Sequence, residues 1–339
     1  MRHNASHIII IMGVIMRKLD ILVPVYNESE EVFKPLFDSI ALQQNVDFDD
    51  IAVIVCCDGG TARVTDEFRK NYPFAIEFYV CEHRGVSATR NACLDKSCAE
   101  YVMFADCDDM FYNMCGLWII FNEIYKGFDS LTSCFTEETR HPQTREPMYI
   151  NHDCDSTFVH GKIHRRQYLL DKEIRFNDAL TIHEDSYFNI LCQSLSQDVK
   201  YCSTPFYLWK WRDESVCRHD PKYILKTYNN MIDSNDALIE ALVEKGAVEK
   251  GIFYVAVMVF DSYYTMNKPE WISQENQEYR DKTEKRFAQY FEKYRETWDK
   301  IPTADKMQIS QGIRGRSVME GMQMESLTID EWLRSIQGR

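Results

Sequence analysis

The sequence predicts an α/β protein with a mainly parallel sheet, followed by a helical C-terminal region. In the first half of the 339-residue chain, short apolar runs alternate with stretches of helical periodicity. Polar or glycine-containing residues follow the apolar runs, and later apolar residues recur at helical spacing. These patterns predict an N-terminal extension over residues 1–15, the α/β domain over 16–220 and a helical region over 221–339.

Nearly continuous apolar runs predict the strands, because strands covered by helices on both faces are apolar on both faces. The predicted strands are Leu19–Val25, Ile51–Cys57, Ile76–Cys81 and Tyr101–Ala105, and the predicted helices are Glu30–Leu42, Ala62–Asn71, Ser87–Ser97 and Leu117–Tyr125. Residues 135–153 are polar and proline-bearing, which predicts a connection or lid. Strand and helix signals resume over residues 156–211. The last third is predicted to form the helices Tyr223–Glu244, Gly251–Asn267 and Asn276–Trp298, the last with aromatic residues at a spacing typical of packing.

Charge and cysteine usage narrow the class of protein. The net charge of -14 and a pI near 5.2 disfavour broad binding to nucleic acid or anionic membranes. These averages do not exclude a local basic cleft. The 12 cysteines form no C-x-x-C pair, which favours reduced thiols and a cytoplasmic protein. The apolar stretches Ile8–Met16 and Ile252–Phe260 are too short to span a bilayer. Because Met16 directly precedes the first strand, we expect residues 1–15 to lie outside the sheet.

Polar residues at the ends of three predicted strands should meet in one crevice. They are Tyr26-Asn27-Glu28, Asp58-Gly59-Gly60 and Asp106-Cys107-Asp108-Asp109. The carboxyl ends of parallel strands lie at one edge of an α/β sheet, where ligands bind. Carboxylates are hard ligands for Mg²⁺ or Mn²⁺, and such an ion can neutralise the charge of a leaving diphosphate. Aspartates after a strand are also common as loop and helix-capping residues.

The order of these motifs resembles family 2 glycosyltransferases of the GT-A fold. That family carries a P-x-Y-N element, a D-G-S-like turn, a G-x-S-x-A-R-N-like helix start and a D-x-D-D element. The corresponding segments here are Pro24–Asn27, Asp58–Gly60, Gly85–Asn91 and Asp106–Asp109, and later ones are His160–Arg166, Arg175-Phe176 with His183–Phe188, and Tyr207–Arg212 with Ser215. The resemblance covers roughly residues 17–220. It departs from the pattern at Cys57, at Gly60 in place of serine and at His160 in place of tryptophan.

The resemblance implies a metal-dependent glycosyltransferase that uses a nucleotide-sugar donor, with a uridine diphosphate (UDP) sugar favoured. It implies a donor site formed by Pro24, Tyr26, Glu28, Asp58, Arg90, Asp106, Lys162, Trp211 and Arg212. Asp58 would accept a hydrogen bond from the base, and Asp108 would be the principal ligand of Mn²⁺ or Mg²⁺. Asp106 would contact either the ribose or the metal.

Several of these side chains have more than one expected role. Arg90 would either reach the diphosphate or brace the aspartate loop. Trp211 and Arg212, with Trp209, would form either a lid over the diphosphate or a buried aromatic strand. His219 would be either an additional metal ligand or a surface histidine.

An inverting transfer also needs a base on the far side of the sugar from the metal. Glu184 and Asp185 meet this requirement, because they open a predicted helix on a different element from Asp108. Carboxylates also favour helix N-termini for electrostatic reasons alone. As the family pattern implies, Asp185 is predicted to be the base and Glu184 to orient the acceptor or brace the loop.

Other classes of function fit the sequence less well. A nucleotidyltransferase would carry a glycine-rich loop where Tyr26-Asn27-Glu28 stands, and a processive synthase would add membrane spans and a Q-x-x-R-W element. A glycosyltransferase acting on modified DNA remains an alternative to one acting on a saccharide or another hydroxyl acceptor. The helical C-terminal region is a candidate surface for homo-oligomers.

Overall fold

A computed structural model of the chain describes residues 17–213, 220, 222–319 and 328–337. The chain divides into two compact units. The first comprises residues 17–181 and 188–212, and the second comprises residues 182–187 with the described residues from 213 onward. Residues 1–15 and His219 lie outside the described residues.

A seven-stranded, mainly parallel sheet forms the centre of the first unit. Its strands are β1 (Leu19–Val25), β2 (Ile51–Asp58), β3 (Ala75–Cys81), β4 (Tyr101–Phe104), β6 (Ser130–Ser133), β9 (Lys162–Arg165) and β10 (Val199–Cys202). The strand order is β10-β6-β9-β4-β1-β2-β3, and β9 runs antiparallel to both of its neighbours. All residues of β2 are buried, which explains its continuous apolar sequence. The four strands predicted from apolar runs are confirmed.

A second, four-stranded sheet contains residues 135–153, for which the sequence predicted a connection or lid. Its strands are β5 (Met110–Phe111), β7 (Phe135–Arg140), β8 (Pro147–His152) and β11 (Tyr207–Trp209), in the order β5-β11-β7-β8. Strands β7 and β8 pair antiparallel, so residues 135–153 form a hairpin rather than an irregular connection. The strand β8 is largely exposed, and its polar sequence therefore carries little strand signal.

The helices of this part of the chain follow the prediction with one exception. They are α1 (Glu30–Ala41), α2 (Asp66–Arg69), α3 (Val86–Lys96), α4 (Gly116–Ile124), α5 (Arg166–Asp171) and α6 (Glu184–Leu195), the last beginning in residues of the second unit. The helix predicted over Ala62–Asn71 is much shorter. The backbone before it is held extended, because the Thr61 amide donates to Asn27 and the Thr65 amide donates to Glu30.

The second unit is helical, as predicted. Its helices are α7 (Tyr223–Glu244), α8 (Val248–Met266), α9 (Pro269–Ile272), α10 (Gln277–Lys300), α11 (Thr303–Met319) and α12 (Ile329–Gln337). The aromatic residues at helical spacing in α10, including Phe287 and Tyr290, are buried in the core of this unit. Among the described residues, no helix is both long and apolar enough to cross a membrane.

Candidate functional site

The polar strand ends of the first unit converge on one pocket, as expected for the carboxyl ends of parallel strands. The pocket has a volume of about 310 Å³ and is lined by Pro24, Val25, Tyr26, Glu28, Asp58, His83, Val86, Thr89, Asp106, Cys107, Asp108 and Arg212. Seven of the predicted site residues lie in this lining: Pro24, Tyr26, Glu28, Asp58, Asp106, Asp108 and Arg212. The pocket therefore combines an aromatic side chain, several carboxylates and a guanidinium group.

A larger cavity, of about 690 Å³, lies in the second unit between α8 and α11. Its lining is mainly apolar and includes the carboxylates of Glu249 and Asp305. Neither a lysine nor an arginine is among these described lining residues. The smaller pocket combines Arg212 with carboxylates that could hold a cation, and it therefore suits a metal-bound diphosphate better.

Tyr26 and His83 form an aromatic wall at one end of the pocket. Their rings stack with centroids 4.9 Å apart and an interplanar angle of 19°. The Asp58 carboxylate also lines the pocket, and it accepts hydrogen bonds from the Arg84 amide at 2.8 Å and the Gly85 amide at 3.0 Å. It also contacts the His83 Nδ1 at 2.9 Å. Asp58 thus organises the turn that presents His83.

Two glycines allow this wall to pack closely. Gly59 has a φ of +71°, and a Cβ built there would lie 2.9 Å from the His83 Cβ. A Cβ on Gly60 would lie 1.9 Å from the Tyr26 carbonyl oxygen. The Gly60 position, where the family commonly has serine, therefore has no room for a side chain in this backbone arrangement.

Two arginines hold the aspartate loop that follows β4. Arg90, which is buried, donates to the Asp106 carboxylate at 3.0 Å, and its guanidinium lies over the Phe176 ring. Arg212, which follows β11 in the chain, donates to the Asp108 carboxylate at 2.7 Å. Arg90 does not line the pocket, and its geometry is that of a bracing residue. Arg212 does line the pocket, where it can contact both Asp108 and an anionic ligand.

Tyr207 connects the same loop to β11 inside the protein. Its hydroxyl donates to the Asp109 carboxylate at 2.7 Å and accepts from the Asp106 amide at 3.0 Å. The second oxygen of Asp109 accepts from the Lys210 amide at 2.9 Å. Burial, together with the charges of Asp108 and Asp106, raises the pKa of Asp109 well above its usual value. Asp109 is thus a structural acid in the core, whereas Asp106 and Asp108 face the pocket.

The donor atoms at this loop suit a divalent cation. Asp106 and Asp108 are partly exposed in the pocket and supply carboxylate oxygens, the ligands that Mg²⁺ and Mn²⁺ prefer. A second arrangement is also close enough, because Asp106, Asp109 and His160 have ligand atoms within 4.8 Å of one another. His160 is buried between aromatic rings, including those of Tyr207 and Trp209. Of this second group, Asp106 lines the pocket, whereas Asp109 and His160 are buried behind it.

Lys162 and Trp211, two other predicted donor-site residues, do not line the pocket. Lys162 is buried on β9, and its ammonium group donates to the His160 carbonyl at 3.3 Å. The Trp211 ring lies beneath the guanidinium groups of Arg140 and Arg145, at 5.8 and 5.6 Å from their carbon atoms.

Glu184 and Asp185 are the first two residues of α6, as predicted for a helix start, and they belong to the second unit. Glu184 is buried and Asp185 is partly exposed. The role of Asp185 as a base stays a prediction.

His83 lines the pocket, although the sequence patterns predicted no role for it. The residue lies in the turn after β3, at the same edge of the sheet as the other strand-end residues. The strand-end rule that selected Tyr26, Asp58 and Asp106 would therefore also have selected His83. The buried bond between Tyr207 and Asp109 had no comparable signal, because nearly a hundred residues separate its two members.

Comparison with known proteins places the chain in a family. The family model described as "Glycosyl transferase family 2" matches residues 20–189, half of the chain. The minor teichoic acid biosynthesis protein GgaB of Bacillus subtilis (strain 168) is 26% identical over 202 residues. This match covers 53% of the present chain but only 21% of GgaB, so the chain spans about a fifth of that relative.

Solved structures with a similar fold include those of TarS from S. aureus. A structure of TarS residues 1–349 in complex with UDP has a TM-score of 0.60 at 17% identity, covering 93% of this chain and 95% of that one. A complex of the same TarS segment with UDP-GlcNAc has a TM-score of 0.60 at 18% identity, covering 91% and 93%. These similarities confirm the predicted GT-A fold. Together with the match to the family model, they show that the chain belongs to glycosyl transferase family 2.

Proposed function

We propose that this protein is an inverting, metal-dependent glycosyltransferase that moves a sugar from a UDP-sugar to an acceptor hydroxyl. The main support for this function is that one pocket is lined by Tyr26, Asp58, Asp108 and Arg212. An aromatic side chain for a base, carboxylates for a cation and a guanidinium for phosphates are the groups that such a donor requires. TarS, which shares the fold, has been crystallised with UDP and with UDP-GlcNAc, and this supports the choice of donor.

Asp106 and Asp108 would hold Mn²⁺ or Mg²⁺, with Asp108 as the principal ligand. The cation, when bound, would neutralise negative charge on the leaving diphosphate. Arg212 already contacts Asp108 and would remain beside the phosphates as a second positive group. Arg90 would keep Asp106 in place from inside the protein.

Asp108→Ala tests this assignment. The variant should fold normally and lose transfer, because the principal carboxylate ligand is absent. Asp171→Ala, which removes an exposed carboxylate on α5, is the matched control and should transfer sugar normally. Transfer by Asp108→Ala at the rate of the wild-type protein would refute the role of this residue.

The donor can be identified by measuring hydrolysis of a panel of nucleotide sugars. UDP-sugars should be hydrolysed faster than guanosine or thymidine diphosphate sugars. A clear preference for one of the other two nucleotides would refute the uridine assignment, while leaving the class of enzyme intact. Slow hydrolysis without an acceptor is expected because water can replace the acceptor hydroxyl.

Asp185 is proposed as the general base and Glu184 as a positioning residue. An acceptor hydroxyl is a poor nucleophile until a carboxylate takes its proton in the transition state. Asp185→Asn keeps the size of the side chain but removes the proton acceptor. Transfer should fall by at least about a hundredfold, while UDP affinity stays at the wild-type value.

Glu184→Gln is the matched control and should reduce transfer less than Asp185→Asn. Product analysis by NMR should show inversion at the anomeric carbon. Near-normal transfer by Asp185→Asn would remove this residue from the role of base, and a retained anomeric configuration would refute the inverting mechanism.

The acceptor is proposed to be a saccharide or another hydroxyl acceptor. The similarity to GgaB, a protein of minor teichoic acid biosynthesis, favours this class over modified DNA. A transfer assay with both classes of acceptor separates them, and product formed only on DNA would refute the proposal. The cytoplasmic location expected from the sequence, and self-association through the helical region, also remain proposals.

A further inference from the structure

We propose that His83 selects the nucleobase, with its Nε2 accepting a hydrogen bond from an imide N–H such as the N3–H of uracil. In this arrangement Asp58 is a positioning residue that holds the imidazole. This inference rests on the proposed function, because it concerns how the protein recognises the base of the nucleotide donor.

The hydrogen bonds of His83 decide which ring nitrogen carries the proton. Nδ1 lies 3.0 Å from the Asp58 backbone carbonyl oxygen and 2.9 Å from the Asp58 carboxylate. A carbonyl oxygen only accepts hydrogen bonds, so Nδ1 must be the donor. In the neutral imidazole the lone pair then belongs to Nε2. In this neutral form His83 offers a hydrogen-bond acceptor at its outer nitrogen, Nε2.

Asp58 is less available than His83 to contact a ligand directly. Its two carboxylate oxygens already accept from the Arg84 amide, the Gly85 amide and the His83 ring. The Asp58 side chain is 8% exposed, whereas that of His83 is 63% exposed. Among the pocket residues at this end, the imidazole is thus the more accessible acceptor.

The orientation of the imidazole also suits an aromatic base. Its plane is within 19° of the plane of the Tyr26 ring, and the two centroids are 4.9 Å apart. A base hydrogen-bonded in the plane of the imidazole would lie nearly parallel to Tyr26, which is the geometry of aromatic stacking. Gly59 keeps this arrangement compact, because a Cβ there would contact the His83 Cβ at 2.9 Å.

An acceptor at this position discriminates between pyrimidines. The N3 of uracil carries a hydrogen and can donate to Nε2. The N3 of cytosine carries a lone pair, which would face the lone pair of Nε2 without a hydrogen between them. The arrangement therefore favours UDP over cytidine diphosphate (CDP).

The test is calorimetric titration of UDP, N3-methyl-UDP and CDP into the wild-type protein, His83→Phe and His83→Ala. N3-methyl-UDP retains the ring but lacks the imide hydrogen. The wild-type protein should bind UDP about tenfold or more tightly than N3-methyl-UDP or CDP, as expected for one hydrogen bond. His83→Phe keeps an aromatic ring against Tyr26 and should bind all three ligands within about twofold of one another. His83→Ala should show the same loss of selectivity and weaker binding of every ligand, because the stacking wall is also lost.

Two results separate failure of this inference from failure of the proposed function. Selectivity for UDP over N3-methyl-UDP that persists in His83→Phe and His83→Ala would overturn the role of His83. It would indicate that Asp58 accepts the hydrogen bond from the base instead. Absence of UDP binding by the wild-type protein would overturn the uridine donor itself, and the His83 assignment with it.

Discussion

Replacing Tyr207 by phenylalanine tests whether a buried hydroxyl holds the aspartate loop in place. The substitution removes one oxygen from a side chain with no exposed surface. That hydroxyl donates a hydrogen bond to the Asp109 carboxylate at 2.7 Å and accepts one from the Asp106 amide at 3.0 Å. Each buried polar group that loses its partner costs about 1–3 kcal/mol. Because Asp109 keeps its bond from the Lys210 amide, we expect the free energy of unfolding to fall by about 2–4 kcal/mol.

The same substitution should also weaken nucleotide binding, since Asp106 and Asp108 lie on the loop that Tyr207 supports. Urea unfolding followed by circular dichroism measures the first effect, and calorimetric titration of UDP measures the second.

Tyr168→Phe is the matched control, because the Tyr168 hydroxyl is buried and donates to the Cys192 carbonyl at 2.6 Å outside the pocket lining. This control should lose about 1 kcal/mol of stability and keep its UDP affinity. A Tyr207→Phe variant whose free energy of unfolding lies within about 0.5 kcal/mol of the wild-type value would show that the Tyr207 hydroxyl does not hold the aspartate loop.

Two further predictions concern packing and pH. Gly60→Ser should lower stability by about 1–3 kcal/mol and weaken UDP binding, because its Cβ would lie 1.9 Å from the Tyr26 carbonyl oxygen. Gly312→Ser, where a Cβ meets no atom within 4 Å, is the control, and equal effects of the two changes in thermal unfolding would contradict the clash. Burial lowers the pKa of His164 from 6.5 to about 3, so the unfolded chain binds a proton near pH 6.5 that the folded chain binds only near pH 3. Stability from this residue is therefore present above pH 6.5 and lost as the pH falls, by about 2 kcal/mol between pH 7 and pH 5. His164→Gln should remove this part of the pH dependence in urea titrations, and an unchanged dependence would contradict the assignment.

Strands β1, β2 and β4 of the central sheet could be predicted because they are covered on both faces. Strands β1 and β2 are almost wholly buried, so their sequences are apolar without interruption. The location of the pocket could be predicted for a different reason, because residues at the carboxyl ends of parallel strands meet at one edge of the sheet. Asp58 and Asp106 lie in the pocket lining, as both this rule and the family resemblance predict.

Other features depend on contacts between distant residues and left little trace in the local pattern. Strands β7 and β8 pair with each other in the second sheet, and β8, at the edge of that sheet, is largely exposed. The sequence of this hairpin therefore shows little of the apolar alternation that predicts strands. The shortened α2 follows from hydrogen bonds that Asn27 and Glu30 make to the segment before it. Neither partner is near in sequence, and helical periodicity alone suggested a longer helix.

Titration of UDP into the wild-type protein, first with Mn²⁺ and then with excess chelator, tests directly whether the pocket is a metal-assisted donor site. If the pocket is a metal-assisted donor site, UDP should bind with Mn²⁺ present and at least about tenfold more weakly without it, a difference of about 1.4 kcal/mol. Asp108→Ala should bind UDP with the weaker affinity under both conditions. Equal UDP affinity with and without the metal would contradict the metal-assisted site, and absence of UDP binding under both conditions would contradict the proposed donor.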